Sequence, residues 1–176
     1  AMENDSSSGT NPSHVQGVCP TGWHLPSDGE WNELETWLTD NGYGYEGSGN
    51  DIGKALAATS GWTTNSTPGN VGNDQASNNS SGFTALPLGA RYDDGTFNHL
   101  GNHATFWSAT ESNSSDAWNR LLNYYYSGVQ RDGYYKDIGF SVRCLKDIDY
   151  LSSLTISGEA GFDNIPELTG DTVQTI

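Results

Sequence analysis

Two histidines and one glycine-rich run are the places in this sequence where spacing first suggests chemistry. His99 and His103 have the H-x3-H spacing of a zinc pair, but the Leu-Gly-Asn between them is typical of a turn, and no third soft ligand is near in sequence. The run GYGYEG (42–47) matches G-x-G-x-x-G, yet it follows a predicted helix instead of opening one after a strand, which removes the mechanism for phosphate binding. Both patterns therefore favour a structural role.

Catalytic motifs find little support elsewhere in the chain. The sequence contains no nucleophile elbow, no H-E-x-x-H motif and no pair of acids that spacing alone brings together. The two cysteines, Cys19 and Cys144, lie at opposite ends of the predicted folded region. They fit either a single disulfide or two buried free thiols; we favour the disulfide, and with it an oxidising compartment. The sequence predicts a protein that is not an enzyme.

The most informative segment for binding is WNRLLNYYYSGVQRDGYYKDIGF (118–140). It holds five of the nine tyrosines, and together with Arg143 and Lys146 it holds five of the seven basic residues. Tyrosine and arginine are enriched in binding hot spots because they offer a large contact area with polar tips at low entropy cost. Three consecutive tyrosines cannot all face a core, so we expect two of the five to pack and the rest to be exposed. The predicted contact face consists of Asn119, Asn123, Tyr124, Tyr125, Tyr126, Arg131, Asp132, Tyr134 and Tyr135.

The charge balance argues against nucleic acid as a partner. Lys and Arg number 7 against 22 Asp and Glu, so the net charge of -15 repels a phosphate backbone. Six Trp, nine Tyr and five Phe supply burial where aliphatic residues are sparse, which indicates a loop-rich globule. No apolar run approaches the roughly 18 to 20 residues needed to cross a bilayer, so we expect no membrane-spanning segment.

Two helices are predicted in the first half of the chain. A capping box of Ser27 and Glu30 starts the first helix, and Gly42 suits its end. Its apolar side chains share one stripe: Trp31, Leu34 and Leu38. A shorter helix is expected to open at Asp51 and to stop at Gly61. Residues 63–81 hold almost nothing apolar and predict a long surface loop.

Short strands broken by turns are predicted from Phe83 onward, with a turn at Asp93 to Gly95. In the final strand Phe140, Val142 and Cys144 alternate with more polar residues, which directs the Cys144 thiol inward. Helices followed by antiparallel strands are typical of an α+β arrangement. We expect two helices packed on antiparallel strands with long irregular loops.

Three ordered motifs carry a family resemblance. The runs CPTGWHLPSDGEW (19–31), LGARYDDGTFNHLGNHATFWSATES (88–112) and GFSVRCLKD (139–147) together resemble the Fibrobacter succinogenes major paralogous domain family. The resemblance implies a C-type-lectin-like fold, related to that of formylglycine-generating enzymes, in an exported bacterial protein. It also implies an extracellular or cell-surface location and an adhesive or ligand-binding role toward an extracellular protein or glycan.

The tyrosine-rich segment carries a second resemblance. In its position and in its Asn/Tyr/Ser/Asp/Gly mixture ahead of a G-F-S-V-R strand, it is similar to the variable region of receptor-binding proteins that diversity-generating retroelements modify. Those proteins hold variable side chains on a rigid C-type-lectin-like scaffold. The similarity implies a hypervariable receptor-binding domain.

The lectin resemblance suggests calcium as a candidate ion, because many C-type lectins bind sugar through it and oxygen ligands are plentiful here. The candidate ligands are Asp51, Asn73, Asp74, Asp93 and Asp94. However, the E/Q-P-N/D tripeptide of sugar-binding lectins is absent, and Arg120 in WNR (118–120) stands where the family-typical WND has a carboxylate. A calcium-dependent lectin is therefore the less favoured hypothesis, and we expect no required cofactor.

Three segments follow from these patterns: a leading segment (1–16), the C-type-lectin-like domain (17–148) and a C-terminal appendage or linker (149–176). The family resemblance implies a first strand ahead of the point where this sequence begins, so the strand around Val142 is expected to lack its usual neighbour. Residues 149–176 or a partner chain could fill the gap, but we favour a longer polypeptide. The alternative function is a structural subunit of a surface assembly, a homo-oligomer or filament joined by strand exchange.

Overall fold

The computed structural model describes residues 6–147 of the chain. The predictions for the appendage (149–176) and for the first five residues lie outside this range. Its longer elements are one helix, α1 (Asp28–Asp40), and three strands, β4 (His103–Glu111), β5 (Asp116–Asn123) and β6 (Gln130–Tyr135). Shorter elements complete it: β1 (Trp23–His24), α2 (Gly53–Leu56), β2 (Ala90–Arg91), β3 (Phe97–Asn98), β7 (Leu145–Lys146) and 3-10 turns at Tyr45–Gly47 and Gln75–Ser77.

The sheets are antiparallel. Strands β4, β5 and β6 form a meander, β2 pairs with β3, and β1 pairs with β7. In the meander Arg120 lies opposite Phe106 on one side and Arg131 on the other. The arrangement of few helices with antiparallel sheets is α+β, as the sequence predicts.

Helix α1 forms because its start is capped locally. The Ser27 hydroxyl accepts a hydrogen bond from the Glu30 amide at 3.1 Å, and the Glu30 carboxylate accepts one from the Ser27 amide at 2.9 Å. This capping box was predicted, as was the end of the helix just before Gly42, which has a positive φ of 77°. The apolar stripe of α1 then packs on the sheet, where the Trp31 ring lies 5.8 Å from that of Phe106.

The second helix differs from its prediction. It spans only four residues, and Asp51 does not cap it; the Asp51 carboxylate accepts a hydrogen bond from the Tyr45 amide instead. The helix ends at Leu56 because Ala57 turns extended and bridges to Ala85, so Gly61 is not its stop. Tertiary pairing has overridden the local helical pattern.

The loop at 63–81 is irregular but anchored in the core, which differs from a plain surface loop. Val71 is fully buried in the main apolar cluster, and the Asn78 side chain donates through Nδ2 to the carbonyls of Ala58 and Val71 at 3.0 and 3.1 Å. These bonds satisfy backbone groups that a buried loop would otherwise leave without partners.

The ends of the described chain are fastened together. Cys19 and Cys144 form the predicted disulfide, with their Cα atoms 5.8 Å apart and a separation of 125 positions in the sequence. The predicted gap beside the last strand is filled in part, since β7 pairs with β1 and Ser141 bridges to Phe106. Beside this pairing the buried His24 ring contacts the carboxylates of Glu30 at 2.8 Å and Asp147 at 2.6 Å.

Residues 8–15 pack onto the domain ahead of β1. The Leu25 amide donates to the Val15 carbonyl at 2.8 Å, and Val15 is buried with Cys19 and Ala109. Within residues 6–147, the helices are too short or too polar to cross a lipid bilayer.

Candidate functional site

The β5–β6 hairpin and the turn that joins its strands carry the whole predicted contact face. Its register pairs Leu121 with Gln130 near the turn and Asp116 with Tyr135 at the far end. At about 3.3 Å per strand residue, the two tyrosine groups are therefore separated by most of the hairpin's length. The structure divides the predicted face into two ends and a middle.

The first end is the tyrosine turn, Tyr124 to Ser127. Tyr125 and Tyr126 are 57% and 45% exposed, whereas Tyr124 is partly buried against the main core. The rings of Tyr124 and Tyr125 meet edge to face at 5.1 Å. Of the five tyrosines in the segment, Tyr124 and Tyr134 pack against core clusters and the others are exposed, which is the division that the sequence predicts.

The backbone of the tyrosine turn is bonded on both sides. The amides of Val71 and Gly72 donate to the carbonyls of Tyr126 and Tyr124 at 3.1 and 2.8 Å, and the Asn70 side chain donates to the Tyr125 carbonyl at 2.7 Å. These contacts come from the 63–81 loop. The turn's conformation is thus set by its neighbours, which leaves its side chains free to contact a partner.

Two glycines permit this close backbone approach. A Cβ at Gly72 would lie 2.3 Å from the Thr63 carbonyl oxygen, and one at Gly53 would lie 2.6 Å from the Ser127 carbonyl oxygen. The Gly53 amide donates to that same Ser127 oxygen at 2.7 Å. A larger residue at either position would push the loop or α2 away from the tyrosine turn.

Lys54 anchors the 63–81 loop through hydrogen bonds to its backbone. Its side chain is buried, and its ammonium group donates to the carbonyl oxygens of Asn73 and of Asp74, the latter at 3.1 Å. Burial lowers the pKa of Lys54, and the negative charge of Asp74 acts in the opposite direction. Two of the calcium candidates, Asn73 and Asp74, therefore have main-chain oxygens already bound to a protein cation.

Of the remaining calcium candidates, Asp51 accepts from the Tyr45 amide, and the other two are bonded within their own turn. Asp93 accepts from the Asp94 amide at 2.9 Å, and Asp94 accepts from the amide and hydroxyl of Thr96 at 2.8 and 2.7 Å. The Thr96 hydrogen bonds lower the pKa of Asp94. Residues 6–147 contain no group of three or more His, Cys, Asp or Glu side chains that could hold a metal ion.

The two asparagines of the predicted face are buried. Asn119 and Asn123 are each 2% exposed. Asn119 donates to the Asp132 carbonyl at 2.9 Å, and the Asn123 amide nitrogen lies 3.2 Å from Nε2 of His103. Both side chains brace neighbouring strands and lie beneath the surface. The His99 and His103 rings stack at 4.3 Å, and burial together with the charge of His99 lowers the pKa of His103.

The middle of the hairpin is a cluster of charges at the junction with α1. Arg120 is fully buried, and its guanidinium group donates to Asp28 at 2.7 Å, to Asn32 at 2.7 Å and to Glu35. Arg131, directly opposite on β6, donates to the same Asp28 carboxylate at 2.9 Å. Two arginines side by side are tolerated because they share a carboxylate.

Asp28 is the acid at the centre of this junction. Burial alone would raise its pKa, but hydrogen bonds from Arg131 and Arg120 and their charges outweigh burial and hold the pKa below its ordinary value. The Arg131 guanidinium carbon also lies 3.4 Å above the Trp118 ring. Arg131 is therefore exposed on one side and bound to the scaffold on the other.

The second end of the hairpin carries Asp132, Tyr134 and Tyr135. Asp132 is exposed, and its carboxylate accepts a hydrogen bond from the Gly133 amide at 2.9 Å. Tyr135 is 62% exposed, whereas Tyr134 packs its ring 5.5 Å from that of Phe140. A hydrogen bond with Tyr92, burial and nearby negative charge raise the pKa of Tyr134.

Sequence reasoning missed the partners of Arg120. Asp28, Asn32 and Glu35 follow the i, i+4, i+7 spacing, so a polar stripe runs along α1 beside its apolar one. That stripe was the available signal for a buried cation, because side chains with this spacing lie on one face of the helix and can contact the same neighbouring residue. The contacts of Asn70, Val71 and Gly72 with the tyrosine turn had no local signal.

Comparison with known protein families gives a match over most of the chain. The family model described as Fibrobacter succinogenes major domain covers residues 6–146. No curated protein and no solved structure matches the chain.

Proposed function

The chain belongs to the Fibrobacter succinogenes major domain family, and from that premise we propose that it is a non-enzymatic ligand-binding or adhesive module of a bacterial surface protein. Its contact surface is the tyrosine turn at the tip of the β5–β6 hairpin. Its partner is an extracellular protein or glycan. Both cysteines are joined in the disulfide, and an oxidising location outside the cytoplasm accords with that bond.

The observation that carries this proposal is an exposed pair of aromatic side chains on a fixed backbone. Tyr125 and Tyr126 are about half exposed, while their carbonyls accept hydrogen bonds from Asn70 and Val71. Little backbone entropy remains to be lost on binding, and this pre-organisation favours affinity. Tyrosine adds a large apolar area with a polar tip, which suits protein and glycan surfaces alike.

A C-type-lectin-like scaffold is the finer form of the fold that we propose. Three features support it: pairing of the first and last strands β1 and β7, a helix packed on an antiparallel meander, and a long irregular loop beside the tip. On such a scaffold the tyrosine turn is where a hypervariable receptor-binding domain would change its side chains. Arg120 is part of the helix–sheet junction, which disfavours a cation site at that position.

Binding to a panel of glycans and of host and bacterial surface proteins tests the proposal, with and without EDTA. We expect binding that survives EDTA and falls at least about tenfold when Tyr125 and Tyr126 are both changed to Ala, a loss typical of hot-spot residues. Phe97→Ala, which removes an exposed aromatic ring in β3 outside the β5–β6 hairpin, is the matched control and should bind like the parent protein.

Two outcomes would contradict this assignment. Equal loss in the Phe97→Ala control would mean that the contact surface is not the tyrosine turn. EDTA-sensitive binding that the double variant leaves unchanged would favour a calcium-dependent lectin. Circular dichroism of both variants shows whether the fold is intact.

A further inference from the structure

A cleft of about 390 Å³ lies at the end of the hairpin away from the tyrosine turn. Two segments of the chain line it. One wall consists of Tyr134, Tyr135, Asp137 and the buried Ile138, and the other consists of Tyr92 and Asp93. Small-molecule sites typically begin at about 300 Å³ and combine aromatic walls with a few polar groups. The cleft has this size and composition.

The two walls are joined beneath the cleft by backbone hydrogen bonds. Arg91 and Gly139 exchange both amide–carbonyl bonds, at 2.9 and 2.7 Å, and the Trp107 indole donates to the Ile138 carbonyl at 3.2 Å. The amide of Ile138 in turn donates to the Tyr135 carbonyl at 3.2 Å. The side chains of Tyr92 and Tyr134 also form a hydrogen bond from one wall to the other. These bonds fix the two walls relative to each other.

The lining of the cleft combines aromatic rings with negative charge. The rings of Tyr134 and Tyr135 are 5.9 Å apart and inclined at 74°, so they present surfaces in different directions. The carboxylates of Asp93 and Asp137 are the charged groups of the lining, and none of the described lining residues is basic. Tyrosine faces attract cations through their quadrupole, and carboxylates add direct attraction.

We propose that this aromatic and acidic cleft binds an alkylammonium group, carried by a small quaternary amine or by a lysine side chain. The cleft lies apart from the tyrosine turn, so the inference stands or falls independently of the contact surface proposed above. Anionic ligands of the same shape should be excluded, because the two carboxylates repel them. Neutral ligands should bind more weakly than cations, because the carboxylates do not attract them.

Titration of the isotope-labelled protein with choline, followed by amide chemical shifts, tests the site directly. We expect saturable shifts confined to residues around 134–138 and 92–93, with a Kd on the order of 1 mM for so small a ligand. The neutral isostere 3,3-dimethyl-1-butanol should bind at least about fivefold more weakly, a difference that cation–π attraction supplies. Nα-acetyl-lysine methylamide is the second cationic arm, and whichever cation binds more tightly identifies the source.

Variants then locate the interaction. Tyr135→Ala should weaken choline binding about fivefold or more, and Asp137→Asn about threefold, whereas Tyr135→Phe retains the ring and should bind like the parent. Tyr126→Ala at the tyrosine turn is the control and should leave the titration unchanged. The dispersion of the amide spectrum reports folding in each variant.

Three results would overturn the inference. They are equal affinity for choline and its neutral isostere, shifts that map to the tyrosine turn, and no saturable shift with either cation.

Discussion

At the junction of α1 with the sheet, charged side chains are buried and paired with one another, whereas at the tyrosine turn aromatic side chains are exposed and the backbone is bonded. Arg120 directs its donors to Asp28, Asn32 and Glu35, all within the fold. Tyr125 and Tyr126 extend into solvent. In this hairpin, therefore, charged side chains hold the scaffold together, whereas aromatic side chains form the exposed surface.

The comparison predicts opposite effects of substitution. Changes among the scaffold contacts should lower the free energy of unfolding, and changes at the turn should alter binding with little effect on stability.

Removal of the disulfide sets the scale for the scaffold. In a Cys19→Ser, Cys144→Ser variant we expect the free energy of unfolding to fall by about 4 kcal/mol, because the unfolded chain regains the entropy of a long open loop. Urea unfolding of the variant beside the oxidised parent measures the difference. Equal midpoints would mean that the short β1–β7 pairing closes the domain unaided.

Loss of the buried arginine tests the junction itself. Arg120→Ala should cost about 3 kcal/mol, because Asp28 and Glu35 lose a cation in a site largely closed to water. Arg131→Ala removes the partly exposed arginine from the same Asp28 carboxylate and should cost at most about 1 kcal/mol. Urea unfolding of the two variants side by side measures the free energy of unfolding that each one loses. Similar losses would contradict the distinction between the buried and the exposed arginine.

Acid should weaken the junction in a defined pH range. Because the pKa of Asp28 is held below the ordinary value of 3.8, its ionised form stabilises the fold above that pH, and this stability is lost as pH falls through the lowered pKa. The stability gap between the parent and Asp28→Asn should therefore be widest above about pH 5 and narrow progressively toward pH 2. A gap that stays constant across this range would show that the carboxylate charge contributes nothing.

The smallest effect is expected at the tyrosine turn. Changing Tyr125 or Tyr126 to Ala should alter the free energy of unfolding by no more than about 0.5 kcal/mol, as for surface sites generally. Tyr124→Ala is the contrasting variant, and it should cost more because its ring packs on the main core. If all three cost the same, the division between packed and exposed tyrosines would be wrong.

Features that depend on neighbouring residues were predictable. The Ser27–Glu30 capping box and the end of α1 before Gly42 involve contacts within one or two turns of helix, so residue types and spacing are enough to identify them. The same holds for the turn at Asp93 to Gly95, where the Gly95 amide donates to the Tyr92 carbonyl. The final strand was predicted from Phe140 onward, but it spans only Leu145–Lys146, and Cys144 is partly buried beside Cys19. The motifs that suggested the family lie within the residues that the family model matches, except for Asp147, the last residue of the third motif.

The second helix shows why local patterns fail elsewhere. Asp51 and Gly61 have the right types to bound a helix, yet Ala57 bridges to Ala85, 28 positions along the chain, and ends the helix early. Ala57 can either continue the helix or pair with the distant Ala85, and in the fold the distant pairing prevails. Spacing within the helix carries no information about the distant one.

By itself the sequence determined the α+β class, helix α1, the disulfide, the family and the number of tyrosines that pack. Only the tertiary structure decided that Arg120 is buried on Asp28, that Asn119 and Asn123 lie beneath the surface, and that the tyrosines divide between the two ends of the hairpin. The physical reason is how far apart in the sequence the interacting residues lie. Capping and alternation are fixed by residues a few positions apart, whereas burial of a charge and the sharing of a surface depend on strands and loops that meet only when the chain has folded.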